Sequence, residues 1–491
     1  MKRTKSHLHG TEPQTIQTMT TFAFTFDARA CSGCKACQEA CKDKNRLPLG
    51  VLWRQVIEVS GGKWQKTGPG KTAAWENSVF AYNLSLACNH CVHPKCAGVC
   101  PTDAYSVRPD GIVLLDSSRC MGCGYCAWAC PYGAPQYNPG QGVMTKCNFC
   151  YDSLDAGLPP SCVAACPLRV LDYGAVEEMS TLRGNQNLWQ LPASEHPFPL
   201  PDYSHTEPHL AIKPHPGMST PLEKKVANRE EIQPPRGPEH ILEFAAIEEL
   251  PGSEELPLVA FTLLTQMAVG LAICVLALSS IPLPVLLAIG GLLGAGGLIS
   301  FLHLGRKRNA WRAVTHLRKS WLSREVLMAG LFGAAWVLTV GLVWLQKASF
   351  APWLMAVLGL ALIYCMARVY FLRAVPAWNT WRTPAAFFLS AAVLGTLGIR
   401  LAVPGPHWAA IAGLGLAAEM GMMPTDQPSM GGMAGRLRVA LLGLGIFGAL
   451  LIAILPPGIA GVLAIPVLLI ALAEEAIGRW QFYAGRAPSP F

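Results

Sequence analysis

Sixteen of the eighteen cysteines lie within the first 166 residues and fall into four quartets. These are Cys31, Cys34, Cys37, Cys41; Cys88, Cys91, Cys96, Cys100; Cys120, Cys123, Cys126, Cys130; and Cys147, Cys150, Cys162, Cys166. The first and third share the spacing C-x2-C-x2-C-x3-C, a run whose thiolates hold [4Fe–4S] cubanes. Pro101, Pro131 and Pro167 follow the last cysteine of the other three quartets, and Lys42 stands there in the first. A thiolate every third residue lets a short loop wrap three corners of one cubane. At four thiolates per cubane, sixteen make four clusters, a wire for single electrons.

The fourth cysteine of such a run lies beyond the loop, and in two-cluster ferredoxins it ligates the other cluster. Quartets two and three are joined by residues 101–119, where Pro109-Asp110-Gly111 between apolar stretches reads as a hairpin turn. They read as one two-cluster unit, with quartets one and four paired around it. The expected ligand sets are Cys31, Cys34, Cys37 with Cys166; Cys147, Cys150, Cys162 with Cys41; Cys88, Cys91, Cys96 with Cys130; and Cys120, Cys123, Cys126 with Cys100. Dense C-x2-C spacing points to metal rather than disulfides. Zinc is the alternative for the fourth quartet, which has the elements of a closed tetrahedral site. Cys274 and Cys365 sit in apolar runs and read as inert buried thiols. Gly70-Lys71-Thr72 is not a phosphate loop, because Gln65 stands where that motif needs glycine.

Residues 175–255 are rich in proline and charge and read as a surface tail and linker. From Leu256 the chain belongs to a membrane, where a spanning helix needs about 20 apolar residues. Eight segments qualify: 256–279, 284–305, 325–345, 352–372, 384–404, 407–423, 438–456 and 459–478, the sixth being short and glycine-rich. An even number of spans puts both ends of the bundle on one side. That side carries Arg306, Lys307, Arg308, Arg312, Arg318, Lys319, Arg324, Arg373, Arg382, Arg436, Arg438, Arg479 and Arg486; the other has little beyond Lys347 and Arg400. The positive-inside rule makes the basic side cytoplasmic. Residues 1–21 are polar and lack the apolar core of a secretory signal. The net charge of +8 reflects these loops and implies no nucleic-acid partner.

Ionisable residues at membrane depth are functional candidates. His303 ends the second span and Glu325 opens the third, both toward the basic side; the plainer reading makes them interfacial anchors of helix ends. Glu419, Glu474 and Glu475 lie within or near spans, with Arg368 and Arg479 as charge partners.

Phe26-Asp27, Cys31-Ser32-Gly33-Cys34-Lys35-Ala36-Cys37, Cys88-Asn89-His90-Cys91 and Cys147-Asn148-Phe149-Cys150 resemble the iron–sulfur subunit of dimethyl sulfoxide reductase-type molybdenum enzymes. His303-Leu304-Gly305, Ser320-Trp321-Leu322-Ser323-Arg324-Glu325, Pro376-Ala377-Trp378-Asn379-Thr380-Trp381-Arg382-Thr383 and Gly478-Arg479 resemble their membrane anchor subunit. These are usually separate chains, so the sequence looks like a fusion.

The resemblance implies an electron-transfer and anchoring component of anaerobic respiration. Menaquinol or ubiquinol would be oxidised at the anchor, with His303 and Glu325 as quinol-binding residues. Electrons would pass four [4Fe–4S] clusters to a separate catalytic subunit carrying molybdopterin, and Cys123 implies a full cubane in the third quartet. The expected fold is an α+β ferredoxin-like domain of two paired two-cluster units, followed by an all-α transmembrane bundle of eight helices. The expected divisions are a polar tail (1–21), the ferredoxin domain (22–174), a Pro-rich tail and linker (175–255), an anchor with the quinol site (256–483) and a C-terminal tail (484–491). The expected location is a prokaryotic cytoplasmic membrane, multi-pass, with lipid and the quinone pool as partners. Two alternatives stay open: the same module reducing quinone, and a ferredoxin arm of an ion-translocating complex.

Overall fold

The computed structural model describes residues 20–61, 64–67, 74–77, 79–176, 186–187, 200–202, 204–216, 255–347, 350–423 and 433–485. Most of the polar tail, much of the Pro-rich segment, the Gly70-Lys71-Thr72 word and residues 486–491 lie outside the described residues.

The N-terminal domain runs β1 (Phe22–Asp27), α1 (Ala36–Lys44), β2 (Gln55–Gly61), β3 (Trp64–Thr67), β4 (Ala74–Asn77), β5 (Phe80–Leu86), α2 (Lys95–Val99), β6 (Tyr105–Val107), β7 (Val113–Leu115), α3 (Tyr125–Ala129), β8 (Gln136–Asn138), β9 (Val143–Thr145), α4 (Tyr151–Asp155), α5 (Ser161–Ala164), β10 (Leu171–Ala175), β11 (Gln186–Asn187) and β12 (Leu210–Lys213). β1 lies inside a sheet of order β10-β1-β12-β11, antiparallel to β10 and parallel to β12. The segment expected as tail and linker therefore returns to the ferredoxin sheet. The cause is the apolar run Leu210-Ala211-Ile212, which is buried beside Phe24 and Phe26. β6 and β7 form an antiparallel hairpin around Pro109-Asp110-Gly111, with Gly111 at φ +79°. β8 and β9 form the matching hairpin before the fourth quartet.

Three of the cysteine loops turn through left-handed backbone before a short helix. Lys35 precedes α1, Gly124 precedes α3 and Cys150 precedes α4, all at positive φ. Glycine takes this conformation without steric cost. The turn reverses the chain, and the helix then carries the next residues inward.

Among the described residues, the C-terminal half holds eight α-helices: α6 (Leu256–Cys274), α7 (Leu283–Leu302), α8 (Trp321–Trp344), α9 (Ala351–Val369), α10 (Arg382–Ala402), α11 (Pro406–Met422), α12 (Met433–Ile454) and α13 (Pro457–Ala484). Seven are long and apolar enough to cross a membrane; α11, at 17 residues, is the short one. α13 runs past the expected end at 478, because Phe482 stacks on Trp378 and the Tyr483 hydroxyl meets that of Tyr370 at 2.7 Å. α6 and α10 cross with backbones in contact. A Cβ on Gly270 would lie 2.0 Å from the Ala391 carbonyl oxygen. α7, α8 and α12 leave rows of leucines exposed, the surface that lipid tails cover.

The two halves meet at the loop between α7 and α8. Arg306 N–H donates to the Met121 carbonyl, and its guanidinium donates to those of Gln141 and Ser117. Asn309 donates to the Ser118 and Cys120 carbonyls, His316 Nδ1 lies 2.8 Å from the Cys100 carbonyl oxygen, and Ser320 donates to that of Val99. Gly305 and Gly142 touch backbone to backbone; a Cβ on Gly305 would lie 2.3 Å from the Gly142 carbonyl oxygen. Thus one of the basic-loop residues that suggested orientation is a docking residue. The anchor grips the main chain of the second and third cysteine loops.

Candidate functional site

The fold brings together cysteines from different quartets. Cys31, Cys34, Cys37 and Cys166 line one small cavity. Cys88, Cys91, Cys96 and Cys130 line another. Cys41 lies within electrostatic reach of Cys150 and Cys162, and Cys147 within reach of Cys41 and Cys162. Cys120, Cys123 and Cys126 stand in the same relation to Cys100. These are the four groupings that a displaced fourth ligand implies. Successive groups abut: Cys37 reaches Cys162, and Cys147 packs with Cys88.

The donor chemistry fits iron–sulfur clusters. None of the eighteen cysteines is in a disulfide. Burial pushes the Cys41 thiol up to about 12, with neighbouring cysteines adding to the rise. Burial likewise pushes Cys126 and Cys147 well above the ordinary range. Four buried thiolates side by side are unfavourable unless a metal draws them together. Arg54, 2 % exposed, gives one nitrogen to the Ser85 carbonyl and hydroxyl and leaves Nε and its second terminal nitrogen without partners. It lies in the field of Cys162, Cys37, Cys147 and Cys41, where cluster sulfurs would accept those protons. Nothing in the spacing pointed to Arg54; a lone arginine before an alternating strand carries no such signal.

A cavity of about 240 Å³ lies between the third cysteine loop and the anchor. Cys123, Tyr125 and Trp128 face it from the ferredoxin domain, and His303, Glu325 and Tyr370 from the anchor. His303 caps the C-terminus of α7, while Glu325 stands near the start of α8 and is buried. The remaining lining is largely apolar, including Leu258, Phe261, Phe301 and Ala329. His303 Nδ1–H donates to the Ser300 carbonyl, which leaves Nε2 as an acceptor. Burial pushes this imidazole below the ordinary histidine range, against a smaller opposing effect of the carbonyl. Tyr125 donates to the Val369 carbonyl, and Trp128 packs edge-on against Trp378. These aromatics lie inside the third quartet, so their spacing reads only as cluster loop. Bulky aromatics between ligating cysteines were the available sign that this loop docks on something.

Glu419, Glu474 and Glu475 come together on α11 and α13. Their expected partner Arg368 does not join them. Its guanidinium lies over the rings of Trp321 and Phe371, at 4.9 and 5.1 Å. Arg438 takes the place instead and binds Glu474 at 2.8 Å.

Two family models match the sequence: a 4Fe-4S dicluster domain over residues 79–176 and the DMSO reductase anchor subunit (DmsC) over residues 250–404. The N-terminal part is 45 % identical over 195 residues to the B subunit of anaerobic dimethyl sulfoxide reductase from Escherichia coli (strain K12), covering 40 % of this protein and 89 % of that one. It is 43 % identical over 196 residues to the same subunit from Haemophilus influenzae, covering 40 % and 90 %. It is 38 % identical over 164 residues to the thiosulfate reductase electron transfer subunit PhsB of Salmonella typhi, covering 33 % and 80 %.

Proposed function

The protein belongs to the family of dimethyl sulfoxide reductase iron–sulfur subunits, joined here in one polypeptide to an anchor of the same enzyme type, and we propose that it draws electrons from membrane quinol for a separate catalytic subunit. One observation carries the quinol reading. Cys123, a prospective cluster ligand, lines the same cavity as His303 and Glu325.

The four cysteine groups would each hold a [4Fe–4S] cluster, and bound clusters supply one-electron transfer along the domain. The protein's own residues do the rest. The apolar walls admit a ring headgroup of menaquinol or ubiquinol, and a volume below about 300 Å³ leaves the long tail outside. His303 Nε2, with its tautomer set by the Ser300 carbonyl, accepts a proton from one quinol hydroxyl. Glu325 accepts the hydrogen bond, and then the proton, of the other. Oxidation of quinol to quinone releases two electrons and two protons, so both the acceptor groups and the ligand face are needed in one place. Trp128, Tyr125 and the carbonyl contacts of Arg306 and Asn309 hold the cysteine loop against the cavity. The basic loops argue for the ferredoxin domain on the cytoplasmic side of a prokaryotic membrane, where the catalytic partner would carry molybdopterin.

The test is reduction of the purified, cluster-loaded protein by menadiol, followed by EPR. His303→Ala and Glu325→Gln should each slow it by on the order of 10²-fold or more, with iron content unchanged. Wild-type rates in both variants would overturn the quinol reading.

A further inference from the structure

A second cavity, of about 420 Å³, opens between the ends of α10, α11, α12 and α13 on the side that bears the ferredoxin domain. Pro376, Thr380, Gln481 and Gly485 lie near its mouth, Arg382 stands exposed at the rim, and Glu419, Glu475, Arg438 and Arg479 line its interior. The carboxylates of Glu419, Glu474 and Glu475 each offer an oxygen within 4.8 Å of the others, and all three side chains are at least nine-tenths buried.

The hydrogen bonds do not satisfy this group. Glu474 Oε1 accepts from Arg438, and Glu475 Oε2 accepts from the Ser390 hydroxyl, which also receives a bond from Arg479. Both oxygens of Glu419, Oε2 of Glu474 and Oε1 of Glu475 have no donor. Charge counting gives the same deficit. Among the described residues, three carboxylates face two guanidiniums, those of Arg438 and the buried Arg479, leaving one negative charge uncompensated. A buried charge without a partner is strongly unfavourable. One proton removes that charge and supplies a missing donor. A divalent cation would leave a net positive charge beside two arginines.

We propose that Glu419, Glu474 and Glu475 hold one proton between them, and that the second cavity is the aqueous port through which this proton exchanges with the ferredoxin side. A cavity of this size with several polar partners has room for ordered water. A line of polar groups joins the port to the first cavity. Tyr370, which lines the first cavity, meets Tyr483 at 2.7 Å; Tyr483 sits one helical turn beyond Arg479; and Arg479 and Glu475 share the Ser390 hydroxyl. The Arg479 guanidinium cannot itself relay a proton, so water seated beside it would carry the proton from Tyr483 to Glu475. By this route the triad takes up a proton that quinol oxidation releases, and passes it to water in the port. That delivery role rests on the quinol reading of the first cavity; the holding of the proton does not.

Infrared spectroscopy of the cluster-loaded protein tests the holding. The wild type should show the carbonyl stretch of a protonated carboxylic acid, shifted down in heavy water. Glu419→Gln should lose it, and Glu419→Asp should restore it at a changed position. No such band in the wild type, a band unchanged in Glu419→Gln, or a stoichiometric divalent metal lost in Glu419→Gln would overturn the proposal. Reduction by menadiol tests the delivery. Tyr483→Phe and Glu419→Gln should slow it about tenfold and enlarge its solvent isotope effect, with dithionite reduction unaffected. If His303→Ala and Glu325→Gln are both at wild-type rate, the quinol reading fails while the infrared result stands. If His303→Ala is blocked but Tyr483→Phe and Glu419→Gln are at wild-type rate, only the delivery role is overturned.

Discussion

The two halves bury polar groups in opposite ways. In the ferredoxin domain, buried Arg54 and Lys146 turn toward cysteine groups and main-chain carbonyls; Lys146 donates to the carbonyls of Val113 and Cys147. The cysteine groups they serve are set by loops whose spacing can be read along the sequence. In the anchor, Glu325, Glu419, Glu475 and Arg479 acquire their neighbours from helices far apart in sequence. Gln266 of α6 meets Arg479 of α13, for example, at 3.0 Å. Function in the first half is written into spacing, and in the second it arises from packing.

The strongest test of this contrast is Cys166→Ala. If the displaced ligand closes the group of Cys31, Cys34 and Cys37, iron analysis should show one cluster lost and EPR should assign the loss to that group. Transfer to a partner should then fall to background. Loss of a signal assigned to Cys147 and Cys150 instead would break the pairing.

A smaller effect is expected at the dock. Gly305→Val puts side-chain atoms where the Gly142 carbonyl lies. Overpacking of this kind costs about 1–3 kcal/mol. Menadiol reduction should drop while dithionite still reduces every cluster, since the domain itself is untouched. Equal loss with both reductants would show that the two halves fold as one unit.

The pH dependence refines the anchor side. The base must be deprotonated to act, and burial holds His303 below its ordinary value of about 6.5. The menadiol rate should therefore stay level as pH falls to that value and drop only below it. A fall already complete at neutral pH would remove His303 as the base. The mildest change is Arg108→Ala, which removes a surface pair with Asp155 at 2.8 Å. Thermal unfolding should shift only slightly, since exposed ion pairs contribute little to stability.

Legibility in the sequence followed the same division. Cysteine spacing and the Pro109-Asp110-Gly111 turn lie within short windows, so the loops and the β6–β7 hairpin could be anticipated. The helices were legible from apolar length, except that α13 continues through Trp480 to Tyr483, whose burial depends on Trp378 and Tyr370. His303 and Glu325 stood out as ionisable groups at helix ends. Tyr125 and Trp128 did not, because an aromatic inside a cysteine loop reads as cluster packing until the anchor is seen beside it. The replacement of Arg368 by Arg438 depends on which faces of α9 and α12 turn inward, and uniformly apolar helices give no periodic signal of that.

The anchor holds the cysteine loops through main-chain carbonyls and a glycine-to-glycine contact rather than through a large set of matched side chains. Between separate polypeptides, such a contact would have to offset the lost freedom of two bodies at every encounter. Here both bodies share one polypeptide, so docking is intramolecular and the local concentration of each half around the other stands in for affinity. The wire and its membrane socket are therefore made in strict one-to-one ratio, and a half that lets go remains within reach of the partner it left.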